Sequence, residues 1–73
     1  MTPDERTALL AKTIEGNVAD LKPDTELDTL GYWDSLAKLS ILAMFTTQFN
    51  RDIGVDRVRN FKTVGEILSE MHE

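Results

Sequence analysis

Two Thr-x-x-Glu boxes, one near each end of the chain, fix where its first and last helices begin: Thr2-Pro-Asp-Glu5 and Thr63-Val-Gly-Glu66. In such a box the threonine hydroxyl accepts from the backbone N–H three residues on, and the glutamate reaches back to the threonine's own N–H. Donors that a helix start leaves orphaned are thereby satisfied. Pro3 strengthens the first box, because its fixed φ suits the first helical position and it has no N–H to lose. Leu9, Leu10 and Ile14 then supply an inward stripe, and Gly16 offers a stop. After the second box Val64, Ile67, Leu68 and Met71 fall at i, i+3, i+4 and i+7, a one-sided apolar stripe.

Between these ends, Ser35 to Phe49 predicts a second long helix with Asp34 as its N-cap. On a helical wheel Leu36, Leu39, Leu42, Ala43, Thr46 and Phe49 share one face, with Phe45 at its border, and that face is assigned to the core. Ala37, Ser40, Ile41 and Met44 then point outward. Residues 50–60 read as a connection with a short turn near Asp56 to Asn60, where Ile53, Val55, Val58 and Phe61 plug the core. Residues 17–34 hold Pro23 and Gly31 and have no sustained helical period. Val18, Leu21, Leu27, Leu30 and Trp33 still recur along them, which predicts a long loop pinned to the core. No strand pattern competes. The expected fold is all-α: a small irregular four-helix bundle in one domain spanning 1–73, with three main helices, a short one, and a long loop between the first and second.

Composition narrows the function. A chain of 73 residues buries only about 60% of its unfolded surface, so several preorganised catalytic groups are too much to ask of it, and it is not expected to be an enzyme. The absence of cysteine removes disulfides, thiolate nucleophiles and Cys-ligated metals, and fits a reducing cytoplasm. Acids stand near the N-terminus where a secretory signal would be basic, and no apolar run approaches the ~20 residues of a membrane span. A soluble cytoplasmic monomer is expected. The net charge of −5 argues against nucleic acid, whose phosphates need clustered Lys and Arg. It suits basic partner surfaces, or serves solubility alone. His72, the one histidine, sits in the last turn, and no Ser/His/Asp set, metal cluster or glycine-rich phosphate loop is present. Asp24, Glu26, Asp28 and Asp34 read as a solvated acidic loop rather than a cation site. Arg51, Arg57, Arg59 and Lys62 make the region after the second helix locally basic, either offsetting Asp52 and Asp56 or touching a phosphate.

The informative stretch is Leu30-Gly-Tyr-Trp-Asp-Ser-Leu36. It puts a serine in the first turn of a helix, directly after an acidic cap, where unpaired N–H groups and the positive end of the helix dipole tolerate a phosphate. As a motif alone, Asp-Ser-Leu is weak, since it also describes an ordinary helix start.

The surrounding pattern adds weight. Pro23-Asp-Thr-Glu-Leu27, Leu30-Gly31, Asp34-Ser-Leu36, the apolar run from Leu39 to Phe49, Ile53, and Thr63-Val-Gly-Glu-Ile-Leu68 follow one another in an order and spacing that resembles the acyl carrier protein and peptidyl carrier protein family along nearly the whole chain. The resemblance implies that Ser35 is esterified with 4′-phosphopantetheine by a phosphopantetheinyl transferase using coenzyme A. Asp34 would help present the serine to that transferase, through its metal ion, and Leu36 would be partly core and partly partner contact. The arm's thiol would carry an acyl group as a thioester, received from a loading ligase or acyltransferase and delivered to synthases or transferases of fatty-acid, polyketide or specialised biosynthesis. An aminoacyl or peptidyl carrier of a non-ribosomal pathway and an unmodified helical interaction module are the other readings. The resemblance also implies that an acyl chain can enter the bundle at about 0.8 kcal/mol per buried CH₂, whereas periodicity alone makes Leu39, Leu42, Phe45 and Phe49 filled core.

Two departures from the family pattern stand out. Tyr32 and Trp33 separate Leu30-Gly31 from Asp34, where many fatty-acid carriers have one residue, so the entry looks more like stand-alone carriers of specialised pathways. Trp33 reads as a core anchor for the loop; Tyr32 fits either that role or a ligand platform. Residues 36–50 hold no Asp or Glu, and Lys38 is their only charge, whereas a fatty-acid carrier is typically acidic there. Docking is therefore expected to be mainly apolar, through Ala37, Ile41 and Met44, with Lys38 beside them.

Overall fold

The computed structural model describes residues 1–72. Helix α1 runs Pro3–Ile14 and opens on the complete capping box: the Glu5 N–H donates to the Thr2 hydroxyl at 3.1 Å, and the Thr2 N–H donates to the Glu5 carboxylate at 2.9 Å. The carboxylate's pKa is lowered, mainly by that backbone bond from Thr2. The helix ends one residue before the expected glycine. Glu15 takes the left-handed conformation at φ 55°, and the Gly16 N–H returns to the Ala11 carbonyl at 2.8 Å. Gly16 does not have a positive φ, and a Cβ there would lie 2.5 Å from the Tyr32 ring, so a side chain would have to displace that ring.

Helix α2 is Ser35–Phe49, α3 is Val55–Asn60 and α4 is Val64–Glu70, so the architecture is the expected irregular all-α bundle of four helices. No strand is present among the described residues, and one isolated antiparallel bridge joins Glu26 to Thr63. Helix α1 packs against α2 and α4, and α3 packs against α2. A single cluster of buried side chains joins all four helices, with Leu10, Ile14, Ile41, Phe45, Val58, Val64, Ile67 and Met71 among its members. Phe45 and Phe49 stack at a tilt, with centroids 5.8 Å apart.

The face that α2 buries is turned well away from the one its sequence indicates: of the expected inner set Phe49 is buried and Leu42 partly so, with Phe45 from its border, and the rest face water. Ala37, Ile41, Met44, Phe45 and Phe49 are buried, whereas Leu36 and Leu39 are 70% and 57% exposed, and Ala43 and Thr46 are exposed as well. The buried set still obeys helical spacing, at i, i+4, i+7, i+8 and i+12. Apolar residues occupy every side of this helix, so its own period cannot select a face; the larger Ile41–Phe45–Phe49 ridge fits the space between α1 and α3 and takes the core. Two further loop positions behave in the same way. Val18 and Val55 are 52% and 43% exposed, while Leu21, Leu27, Val58 and Phe61 are the side chains buried from those segments.

The long loop between α1 and α2 is held by backbone rather than by apolar contact alone. The Leu27 N–H donates to the Lys62 carbonyl at 2.8 Å, the Val64 N–H to the Thr25 carbonyl at 2.9 Å, and the Gly65 N–H to the Pro23 carbonyl at 2.9 Å. The loop thus supplies acceptors to N–H groups that the start of α4 would otherwise leave orphaned. The Thr63 hydroxyl accepts from the Glu66 N–H at 3.3 Å, but the Glu66 carboxylate reaches back to the Lys62 N–H, one residue beyond the Thr63 N–H that would close the box. Two turns of 3-10 helix, Val18–Asp20 and Leu27–Thr29, tighten the remaining loop, and Leu21 and Leu27 anchor it in the core.

At the other end of α4, Glu70 bonds to both Arg51 and Arg57, and Arg51 also donates to the Glu70 carbonyl at 2.6 Å. Partial burial works to raise the Glu70 pKa, but hydrogen bonding by Arg51 and the charge of Arg57 outweigh it and hold the carboxylate below its usual range.

Gly65 carries the tightest constraint on this architecture, because a Cβ there would stand 2.7 Å from the Pro23 carbonyl oxygen, which is backbone and cannot swing aside. Gly65→Ala is expected to lower unfolding stability by about 1–3 kcal/mol in urea titrations. Gly31→Ala, with nothing within 4 Å of the new Cβ, stays within about 0.5 kcal/mol of the parent. Equal stability of the two variants would contradict the strap.

Candidate functional site

The head of α2 is built by three adjacent residues. Asp34 is extended, and its Oδ1 accepts from the Ala37 N–H at 2.8 Å, while its carbonyl takes the Lys38 N–H at 3.0 Å as the first helical bond. Ser35 follows as the first helical residue and is exposed, and its hydroxyl has no partner among the described residues. Leu36 projects outward. The backbone N–H groups of Ser35 and Leu36 meet no acceptor within the described chain, so two free donors and the positive end of a fifteen-residue helix lie beside the serine oxygen. The backbone before this point is pinned as well: the Trp33 N–H donates to the Leu30 carbonyl at 3.2 Å.

Tyr32 and Trp33, the two residues that lengthen this entry, both pack partly buried against the core. The Tyr32 ring lies over Gly16, and its hydroxyl lies 3.4 Å from the Asp20 carboxylate and 3.5 Å from the Asn17 N–H, which ties the loop to the end of α1. Trp33 carries the Lys38 ammonium 5.8 Å from its ring centroid. Lys38, assigned to a docking surface by sequence, is thus turned onto the loop.

The rest of that surface is corrected by the structure. Ala37, Ile41 and Met44 are 5%, 0% and 4% exposed, so they are core side chains and present nothing to a partner. The apolar surface beside Ser35 comes instead from Leu36 and Leu39, one turn apart on the outer side of α2. Leu36 was expected to be divided between core and surface, and it is a surface residue. The basic residues after α2 are engaged elsewhere: Arg51 and Arg57 hold Glu70, and Arg59 lies 3.8 Å from Asp56. Only the Arg59 contact offsets a neighbouring acid as expected.

A hollow of about 290 Å³ opens between α1 and the first turns of α2, lined by Lys12, Thr13 and Glu15 of α1, Tyr32 of the loop, and Asp34, Leu36 and Ser40, with Ser35 outside its lining. Lys12 makes no ion pair among the described residues. Sequence reasoning passed over Lys12 and placed Ser40 on an outward face; the only signal for either was a polar residue interrupting an apolar run. No group of three metal-ligating side chains converges among the described residues, the loop acids included, and no helix is long and apolar enough to cross a membrane.

Comparison with protein-family models, with curated proteins and with solved structures finds no match to this chain.

The two faces of α2 predict opposite responses to the same substitution. Ile41→Asp buries a charge in the centre of the core and is expected to unfold the protein, seen as loss of the helical circular-dichroism signal at 25 °C. Leu39→Asp leaves helicity and stability within about 0.5 kcal/mol of the parent. Unfolding by Leu39→Asp, with Ile41→Asp tolerated, would restore the face read from sequence.

Proposed function

We propose that the protein is an acyl carrier whose Ser35 oxygen bears a 4′-phosphopantetheine arm. The observation that supports this most is Ser35 itself: an exposed, unpartnered hydroxyl on the first residue of a long helix, with free N–H donors beside it and a fixed acidic cap before it. These residues fit a phosphodiester, because the helix end favours the negative charge and leaves the hydroxyl within reach of a transferase. The family pattern described above, from Pro23-Asp-Thr-Glu-Leu27 to Thr63-Val-Gly-Glu66, supplies the identity of the group.

When attached, the arm supplies a thiol that holds cargo as a thioester; a chain without cysteine has no such sulfur of its own. The protein's share of the work is presentation. Asp34 starts the helix at a fixed residue, so Ser35 leaves the bundle in one direction, and one Asp34 oxygen stays clear of the cap bond and open to the transferase's metal ion. Leu36 and Leu39 offer partner enzymes an apolar contact within a turn of the arm, and the missing acids on α2 make that contact less salt-sensitive than a charge-driven one. The carrier of specialised pathways is the form that this surface favours, working in the cytoplasm as a monomer.

Incubation with coenzyme A, Mg²⁺ and a broad-specificity phosphopantetheinyl transferase, followed by intact mass measurement, tests the proposal. One phosphopantetheine is expected on the parent and none on Ser35→Ala. Failure with several transferases would replace the carrier by an unmodified helical interaction module, and modification of Ser35→Ala would move the attachment point.

A further inference from the structure

Lys38 is the single charged residue of α2 and stands three residues after Ser35. On a helix that spacing makes two side chains surface neighbours, with Cβ atoms about 5–6 Å apart. The Lys38 ammonium makes no ion pair among the described residues and lies 5.8 Å from the Trp33 ring centroid instead. The Asp34 carboxylate, four residues back, does not pair with it and has one oxygen taken by the Ala37 N–H.

We infer that Lys38 is the cation that meets the arm's phosphodiester, and that loading of Ser35 draws its ammonium off Trp33. The inference rests on the carrier reading and adds to that site a residue and a movement. Charge is the first argument. Loading puts a second anion within a turn of Asp34, and like charges so close on a helix repel. The free N–H groups of Ser35 and Leu36 take up part of the new charge. Lys38 is the one cation on α2 to balance the rest. Arg51, Arg57 and Arg59 follow the far end of α2 and face acids, and Lys12 lines a hollow that leaves Ser35 outside.

Reach is the second argument. Lysine carries its charge on a flexible four-carbon stem, so the ammonium can swing from the ring to the helix head with no change of backbone. The hold it leaves is light, because 5.8 Å is close to the roughly 6 Å at which a cation–π contact fades. Trp33 does not depend on it, being packed partly buried against the core. An exposed cation–π contact and an exposed ion pair are of similar strength, so loading shifts Lys38 rather than locking it. The time it spends over the ring falls by roughly half or more.

Proton spectra of the full-length chain, taken before and after loading verified by mass, read that movement. In the unloaded chain the Trp33 ring shifts the Lys38 ε-methylene protons upfield, and Trp33→Leu removes the offset. Loading is expected to cut the offset by roughly twofold or more, and salt at about 1 M, where screening acts within about 3 Å, to restore it. The arm's phosphorus resonance gives the second reading: it moves in loaded Lys38→Gln and stays near the parent position in loaded Lys38→Arg. An offset unchanged by loading, or a phosphorus resonance indifferent to Lys38→Gln, would overturn the Lys38 contact and leave the carrier reading standing. A chain that no transferase loads would overturn both.

Discussion

The loop between α1 and α2 owes its position to three backbone hydrogen bonds that strap Pro23–Leu27 to Lys62–Gly65. An unstrapped loop of this length would leave the head of α2 free to drift, because α2 begins where the loop ends. The strap removes that freedom, and two of its three bonds also cap α4, so the Pro23 and Thr25 carbonyls serve two elements. Glycine at position 65 is the condition for it, since the Pro23 carbonyl lies where any side chain would begin. Tyr32 then fixes the loop's far end against Gly16, and Ser35 emerges from an ordered frame.

Helix α2 carries two duties on opposite sides. Its inner ridge of Ile41, Phe45 and Phe49 is the middle of the bundle, and its outer Leu36 and Leu39 stay in water near Ser35. A soluble helix normally separates these duties by polarity, apolar inside and charged outside. Here both sides are apolar, and geometry alone separates them. The cost is exposed leucine on a small acidic protein; the net charge of −5 offsets it by discouraging self-association.

What was legible in the sequence was whatever rests on local chemistry. Thr2 and Asp34 cap their helices through side-chain oxygens a few residues from the groups they satisfy, so α1 and α2 begin where the residues say. The α4 stripe of Val64, Ile67 and Met71 was equally plain, because polar residues flank it. The inward face of α2 was not, since Leu36 and Leu39 carry as much apolar signal as Ile41 and Phe45 and only the packing of α1 and α3 decides between them. Glu15 took the left-handed position expected of Gly16, a one-residue shift that no local pattern marks. The strap and the Arg51–Glu70–Arg57 cluster join residues far apart in the chain, and no local pattern announces such pairs. At the candidate site, Ser35, Asp34 and Leu36 came from the sequence, whereas Lys12 and Ser40 acquire meaning only when α1 lies beside α2.

The dependence of the Ser35 platform on the strap is open to direct measurement by native-state amide hydrogen exchange. The N–H groups of Leu27, Val64 and Gly65 should be protected to the same degree as those of Ile41 and Phe45, opening only when the whole domain unfolds. Exchange of those three as fast as at exposed loop positions such as Asp28, with the core still protected, would show a loop that moves independently of α4 and would contradict the account.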